Sequence, residues 1–283
     1  MRPLLRCLLV AATMLPLCAL ADGPAATPRY VDVPGAKLYV ETFGSGTPLL
    51  FLHGGLHFFD NSFAAQRDYF AAFRQVIGID QAGHGHSPGN GRPFTYQQMA
   101  DDTAAVIEKL RIGPVDIVGH SDGANVALIL AHDHPALVQR LVISGANLRP
   151  ALSPEKLQQR ARATPTEIAE RVHAMEQTLP PNFRTDFLAV APGGVAQWDT
   201  MMVKSYAMWI MPVAVDPASL KAIESHVLVI AGDTDFTPLD QTIEIYRALP
   251  HAQLFIVPGT GHGTFGDRPE LMNLAIREFL EKR

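Results

Sequence analysis

Apolar residues run along this chain in short unbroken blocks, each closed by glycine or a polar loop. Pro48–Leu52, Gln75–Asp80, Val115–Val118, Leu141–Ser144, Val227–Ala231 and Gln253–Val257 are such blocks. Strands covered on both faces show this pattern, because neither side of the pleat meets water. Tyr30–Val33 and Lys37–Thr42, joined at Pro34-Gly35, read as an opening pair of strands. Helical periodicity fills the gaps. A helix is predicted around Asn61–Phe73, and another from Thr95 to about Leu110, where Gln98 three positions on resembles a capping box. Further helices are predicted from Pro238 to about Leu249 and from Arg268 to Leu280. Strand alternating with helix predicts an α/β fold: a doubly wound, mostly parallel eight-stranded sheet with helices on both faces.

The alternation stops after Asn147 and resumes near Leu220. The intervening residues, 147–220, are mixed in polarity and broken at Pro180-Pro181 and Pro192-Gly193-Gly194. They carry both tryptophans, Trp198 and Trp209, and Met201, Met202, Met208 and Met211. This stretch reads as a helical cap inserted into a core made of residues 22–146 and 221–283. Its Met/Trp content suits an adaptable apolar pocket wall, with Trp198 and Trp209 as candidate substrate-binding residues. Filling the seam between cap and core is the plainer role for any one of them.

Composition narrows the class. The chain has 283 residues, 47% of them hydrophobic, and a formal net charge of −5. That is enough for one large domain with an insertion, and a mildly acidic balance argues against nucleic acid or an anionic membrane as partner. Residues 1–21 combine Arg2 and Arg6, a mostly apolar stretch from Cys7 to Leu20, and Ala19-Leu20-Ala21 before Asp22. They read as a secretory signal peptide, so the expectation is an exported protein, periplasmic or extracellular, with no stable membrane insertion after cleavage. Both cysteines, Cys7 and Cys18, fall in that leader. A thiol nucleophile or thiolate metal site in the mature chain is thereby excluded.

The candidate chemistry sits in Val115-Asp116-Ile117-Val118-Gly119-His120-Ser121-Asp122-Gly123. A buried strand, a corner bracketed by two glycines and an Ala/Leu/Ile-rich helix follow one another here. A serine at such a corner is pushed out at the end of the sheet beside N–H groups that open a helix. A hydroxyl needs a base, and the base an orienting carboxylate. In a doubly wound sheet these lie beyond the carboxyl ends of the strands. Among eleven histidines, His262 follows the last strand in a glycine loop and is the candidate base. His251 precedes that strand, and His132 and His134 close a helix. Asp235 and Asp233 both follow the strand ending at Ala231; Asp235 lies deeper in the turn and is favoured as the acid, with Asp233 expected on turn amides. The oxyanion hole needs two N–H donors. Asp122 is the expected first and Gly55 the second, with Leu56 as the near alternative and a candidate substrate contact. His53 is expected to brace its loop.

His53-Gly54-Gly55, Asp80-Gln81-Ala82-Gly83-His84-Gly85-His86-Ser87, Gly119-His120-Ser121-Asp122-Gly123, Asp235 with Pro238, and Gly261-His262 together make the chain from about Tyr30 onward resemble a lidded serine esterase of the α/β-hydrolase superfamily. Ala82 departs from the Arg or Pro common in relatives, which bears on loop bracing. Serine rather than aspartate at position 121 implies ester-type acyl transfer over haloalkane or epoxide opening. Ser121-Asp122-Gly123-Ala124-Asn125, with Ser144-Gly145-Ala146-Asn147, is similar to the branch containing valacyclovir hydrolase, which cleaves amino-acid esters. Two roles stay open for the Asp122 side chain: facing an acyl pocket and selecting a positively charged substrate, or bonding nearby loop amides.

The expected activity is hydrolysis of small carboxylic esters or lactones through an acyl-enzyme on Ser121, with no cofactor and no metal. C–C bond hydrolysis, aminopeptidase-like and perhydrolase activities are alternatives on the same three side chains. A metal hydrolase built on His53, His57, His84, His86 and His120, or a non-catalytic binding protein, is a remote reading. Oligomeric state is not legible.

Overall fold

A computed structural model describes residues 26–150, 152–211 and 216–281. The leader, residues 1–21, lies outside the described residues.

Eight strands form one sheet in the order β1-β2-β4-β3-β5-β6-β7-β8. They are β1 (Thr27–Val33), β2 (Ala36–Phe43), β3 (Pro48–Leu52), β4 (Gln75–Asp80), β5 (Val115–His120), β6 (Val138–Ser144), β7 (His226–Gly232) and β8 (Ala252–Val257). β2 runs antiparallel to β1 and β4, and every other neighbouring pair is parallel. The apolar blocks of the sequence are therefore the parallel strands. All residues of β5 are buried, as burial on both faces requires.

One face of the sheet carries α2 (Tyr96–Leu110), α3 (Asp122–Asp133) and α8 (Leu239–Ala248), and the other carries α1 (Phe59–Phe70), the short α9 (Thr264–Asp267) and α10 (Pro269–Glu281). Two apolar clusters result, one on each side. The second includes Phe51, Phe59, Phe63 and Phe70, whose rings meet at tilted angles.

Helix α1 starts earlier than expected, while α2 starts at its expected cap, Thr95, with only half of the expected box. Helix α1 begins at Phe59 rather than Asn61, because the Phe59 N–H donates to Oδ1 of the distant Asp80 at 2.8 Å. A cap supplied twenty-one positions along the chain leaves no local signal. At α2 the Thr95 hydroxyl accepts from the Gln98 N–H at 3.0 Å, but the Gln98 amide turns to Asp102. The start is capped by half of the expected box.

Among the described residues, four α-helices lie between β6 and β7, α4 (Pro154–Ala161), α5 (Pro165–Glu176), α6 (Asn182–Val190) and α7 (Gly194–Trp209), followed by a short 3-10 helix at Pro217–Ala222. Helix α7 is the seam. Trp198, Met201, Met202 and Met208 are buried on it. Gln197 reaches from it to the loop after β4, donating to the carbonyls of Gly83, Gly85 and Ser87 at 3.3, 3.1 and 3.0 Å. Among the described residues no helix is long and apolar enough to cross a membrane.

Candidate active site

The corner after β5 is set by two close approaches. A Cβ on Gly119 would stand 2.5 Å from the Gly123 carbonyl oxygen, and one on Gly123 would stand 2.0 Å from that of Leu52. Strand β5 thus presses on its own helix, and that helix presses on the end of β3. Ser121, between them, is held at φ 52° and ψ −116°. For a residue with a side chain this is a strained backbone. Its N–H is pinned to the Ser144 carbonyl at 2.8 Å. The side chain lines a cavity of about 410 Å³ that also receives Gly55, Leu56, Asp122, Trp209 and His262.

His262 arrives from the loop after β8. Its Nδ1 lies 2.9 and 3.1 Å from the two carboxylate oxygens of Asp235. With a carboxylate as partner, Nδ1 carries the proton and Nε2 keeps its lone pair. Nε2 is buried and has no hydrogen-bond partner among the described residues. Asp235 is locked in turn, accepting from the Thr237 N–H at 2.7 Å. Asp233 instead accepts from the Gly259 and Thr260 N–H groups, so it shapes the loop that carries His262. The ring of Phe236, itself exposed, lies 4.1 Å from the imidazole, centroid to centroid.

His120 supports this from behind. Its Nε2 donates to the His262 carbonyl at 2.8 Å, since a carbonyl can only accept. Burial pushes its pKa down to about 3, which keeps it neutral. His53 is buried and neutral as well: its Nδ1–H donates to the Gly54 carbonyl, and its Nε2 accepts from the Gln81 N–H. It ties the loop after β3 to the loop after β4. His86 pairs with Asp80, and His84 stacks on Phe94. His57 lines the cavity edge-on to Phe183, its pKa pushed down to about 4 by burial. Among the described residues no three His, Cys, Asp or Glu side chains converge to hold a metal ion.

Among the described residues the Asp122 side chain bonds no loop amide. It is buried, and its carboxylate accepts from the Tyr96 hydroxyl at 2.8 Å and from the Trp209 indole N–H at 2.9 and 3.0 Å. Burial raises its pKa above the usual carboxylate range, and the hydrogen bonds from Trp209 and then Tyr96 oppose the rise. Gly55 is required beside it: a Cβ there would meet both Asp122 Oδ2 and the Trp209 ring at 2.4 Å. Leu56, next in the chain, adopts φ 63°. This turn brings the Gly55 backbone against the residue that follows Ser121.

Trp198, expected at the substrate, is elsewhere. It is fully buried inside the cap, donates to Glu176 at 3.0 Å and packs edge-on against Phe187. It organises the cap and does not line the cavity. The seam is also the place of Met201, Met202 and Met208, while exposed Met211 lines the cavity. His57, read in the sequence only as a remote metal ligand, lines it too, as do Tyr96, Phe236 and Arg160, which the sequence does not single out. His57 and Phe236 adjoin the predicted Leu56 and Asp235, while Tyr96 and Arg160 stand alone on α2 and α4, where no local motif marks them.

Residues 49–273 match the Alpha/beta hydrolase family. The chain belongs to that family and is a hydrolase. Its relatives are diverse. It is 30% identical over 258 residues, covering 86% of this chain and 95% of the other, to a protein of Caulobacter sp. (strain K31) named for carbamate hydrolysis, RutD. It is 26% identical over 249 residues, covering 83% of this chain and 87% of the other, to a 2-hydroxymuconate semialdehyde hydrolase of Pseudomonas sp. (strain CF600). Among solved structures, a thermophilic esterase from Thermogutta terrifontis with malate bound superimposes with a TM-score of 0.69 at 26% identity, covering 90% of this chain and 98% of that one.

Proposed function

We propose that the protein is a serine hydrolase of small carboxylic esters or lactones. The observation that carries this reading is His262, anchored to Asp235 through Nδ1, with a free Nε2 lone pair in the cavity that Ser121 enters on a strained turn. In this reading Ser121 Oγ bonds to the acyl carbon as His262 Nε2 takes the hydroxyl proton. The bond from acyl carbon to alkoxy oxygen breaks, and His262 returns the proton to the leaving alcohol. Water then attacks the acyl-enzyme, gives its proton to His262, and the acid departs as Ser121 is reprotonated. Asp235 holds the tautomer and offsets the imidazolium charge. The Gly55 and Asp122 N–H groups stabilise the oxyanion. Similarity to an esterase fold supports the acyl-transfer class.

Similarity to 2-hydroxymuconate semialdehyde hydrolase favours a second reading, C–C bond cleavage on the same side chains. Assay of purified protein against esters of graded acyl length, lactones, aminoacyl esters and vinylogous 1,5-diketones separates the two. Ser121→Ala and labelling by a fluorophosphonate are the controls. Ester turnover lost in Ser121→Ala supports the first reading; turnover of the diketones alone overturns it. We further propose export, on Arg2, Arg6 and the apolar run ending in Ala19-Leu20-Ala21. N-terminal sequencing of the secreted or periplasmic protein, expected to begin at Asp22, tests it.

A further inference from the structure

A second cavity, of about 300 Å³, opens in the cap beside the first, and the two share Arg160 and Trp209. Its polar equipment is cationic. Arg160 on α4 and Arg171 on α5 both line it, and neither forms an ion pair among the described residues. Of the three carboxylates on the helix of Arg171, exposed Glu170 forms no ion pair among the described residues, and the other two bond elsewhere, although Glu167 also feels the charge of Arg171. Glu167 is bonded to Thr164 at the start of α5, and Glu176 accepts from Trp198 and pairs with Arg184. The guanidinium of Arg160 lies over the Tyr206 ring, 5.5 Å from its centroid, a contact that fixes a plane for its donors. Tyr206 also lines the cavity. It is only 6% exposed, and its hydroxyl has no hydrogen-bond partner among the described residues.

An unpartnered buried hydroxyl is costly unless a ligand completes it, and beside it stand two half-buried guanidinium groups with no ion-pair partner among the described residues, which an anion would satisfy. Guanidinium matches a carboxylate in shape and charge, and the apolar walls of Met175, Ile210 and Trp209 strengthen the attraction by excluding water. Asp122, the one carboxylate among the described residues lining the first cavity, faces Tyr96 and Trp209 instead. We propose that Arg160, Arg171 and Tyr206 form a carboxylate subsite in the cap, and that the substrates are esters or lactones bearing an acidic group remote from the bond that breaks. The subsite deepens the ester reading and rests on it for the substrate class.

Two arms test this. In the first, kcat/KM is measured for mono-para-nitrophenyl esters of adipic and pimelic acid and for chain-matched esters without the terminal acid. Wild type favours the acidic member, and the acid-to-neutral ratio falls at least about tenfold in Arg160→Gln, and further in the Arg160→Gln/Arg171→Gln double variant. Arg160→Lys recovers part of it, and salt erodes the preference in wild type. In the second arm, adipate is titrated into Ser121→Ala and followed by tryptophan fluorescence and calorimetry. Binding is expected, weakened at least about tenfold when Arg160→Gln is added. Equal ratios in wild type and the double variant, or adipate binding indifferent to both arginines, overturn the subsite. Turnover of neither ester with arginine-dependent adipate binding intact overturns the ester reading and leaves the subsite standing.

Discussion

Helix α3, behind Ser121, and the cap helices α4 to α6 are built on opposite terms. Every residue of α3 from Asp122 to Ala131 is buried. Along α5 and α6 only Val172 and Phe187 are buried, and no described side chain of α4 is. The first region is imposed by dense packing, where a single added methyl group collides with backbone. The second is held by α7 and a few long-range hydrogen bonds, above all those of Gln197 and Trp209. Most of the cap can therefore vary while the reaction centre is kept, because the two draw on different contacts and meet chiefly where Trp209 grips Asp122 and Gln197 holds the loop after β4. Little apolar burial also means that rearranging the cap costs little.

Substitutions separate the regions in order of effect. Ser121→Ala is expected to lower kcat by about 10⁴-fold or more without lowering the melting temperature, since the strained corner loses only a hydroxyl. Loss of both activity and fold would show that the hydroxyl serves the corner rather than the chemistry. Asp235→Asn is expected to cost about 10⁴-fold in kcat by releasing the His262 tautomer. Asp233→Asn, whose carboxylate serves only two amides, is expected to cost less than about tenfold and roughly 1 kcal/mol in urea unfolding. Comparable losses in kcat would erase the distinction between the two acids.

On the cap side, Gln197→Ala strips a donor from three carbonyls. It is expected to cost about 1–3 kcal/mol and to raise KM more than it lowers kcat, because the reaction centre lies on other elements. A kcat defect of the size seen for Asp235→Asn would break the comparison. The smallest effect is a pH dependence. Because the pKa of Asp122 is raised on folding, the folded state holds its proton more tightly than the unfolded chain does. Its contribution to stability is full below the unfolded carboxylate pKa and declines as pH rises through the folded value. Asp122→Asn removes that decline, so the stability of the variant relative to wild type should grow with pH across that window. A constant difference in unfolding free energy from acid to neutral pH would show that folding does not shift the pKa of this carboxylate.

The same contrast governs what could be read from the chain. The parallel strands, the corner and the loops bearing Asp235 and His262 each leave a local signature, because burial on two faces and tight turns restrict residue type over a few consecutive positions. The remote Asp80 cap of α1 has no such signature, nor does the clasp of Asp122 by Tyr96 and Trp209. Trp198 shows the limit most clearly. A tryptophan in a cap has the composition of a substrate contact, but one hydrogen bond to Glu176 and one ring against Phe187 decide that it faces inward.

Asp122 joins a backbone position next to Ser121 to a side chain gripped by the last residue of α7. Trimming Trp209 to enlarge the doorway would also withdraw a donor from the buried Asp122 carboxyl group lying against Gly55. Anyone redesigning this protein for bulkier molecules has to treat entrance and reaction chamber as one object, and replace the lost indole N–H as part of the same change.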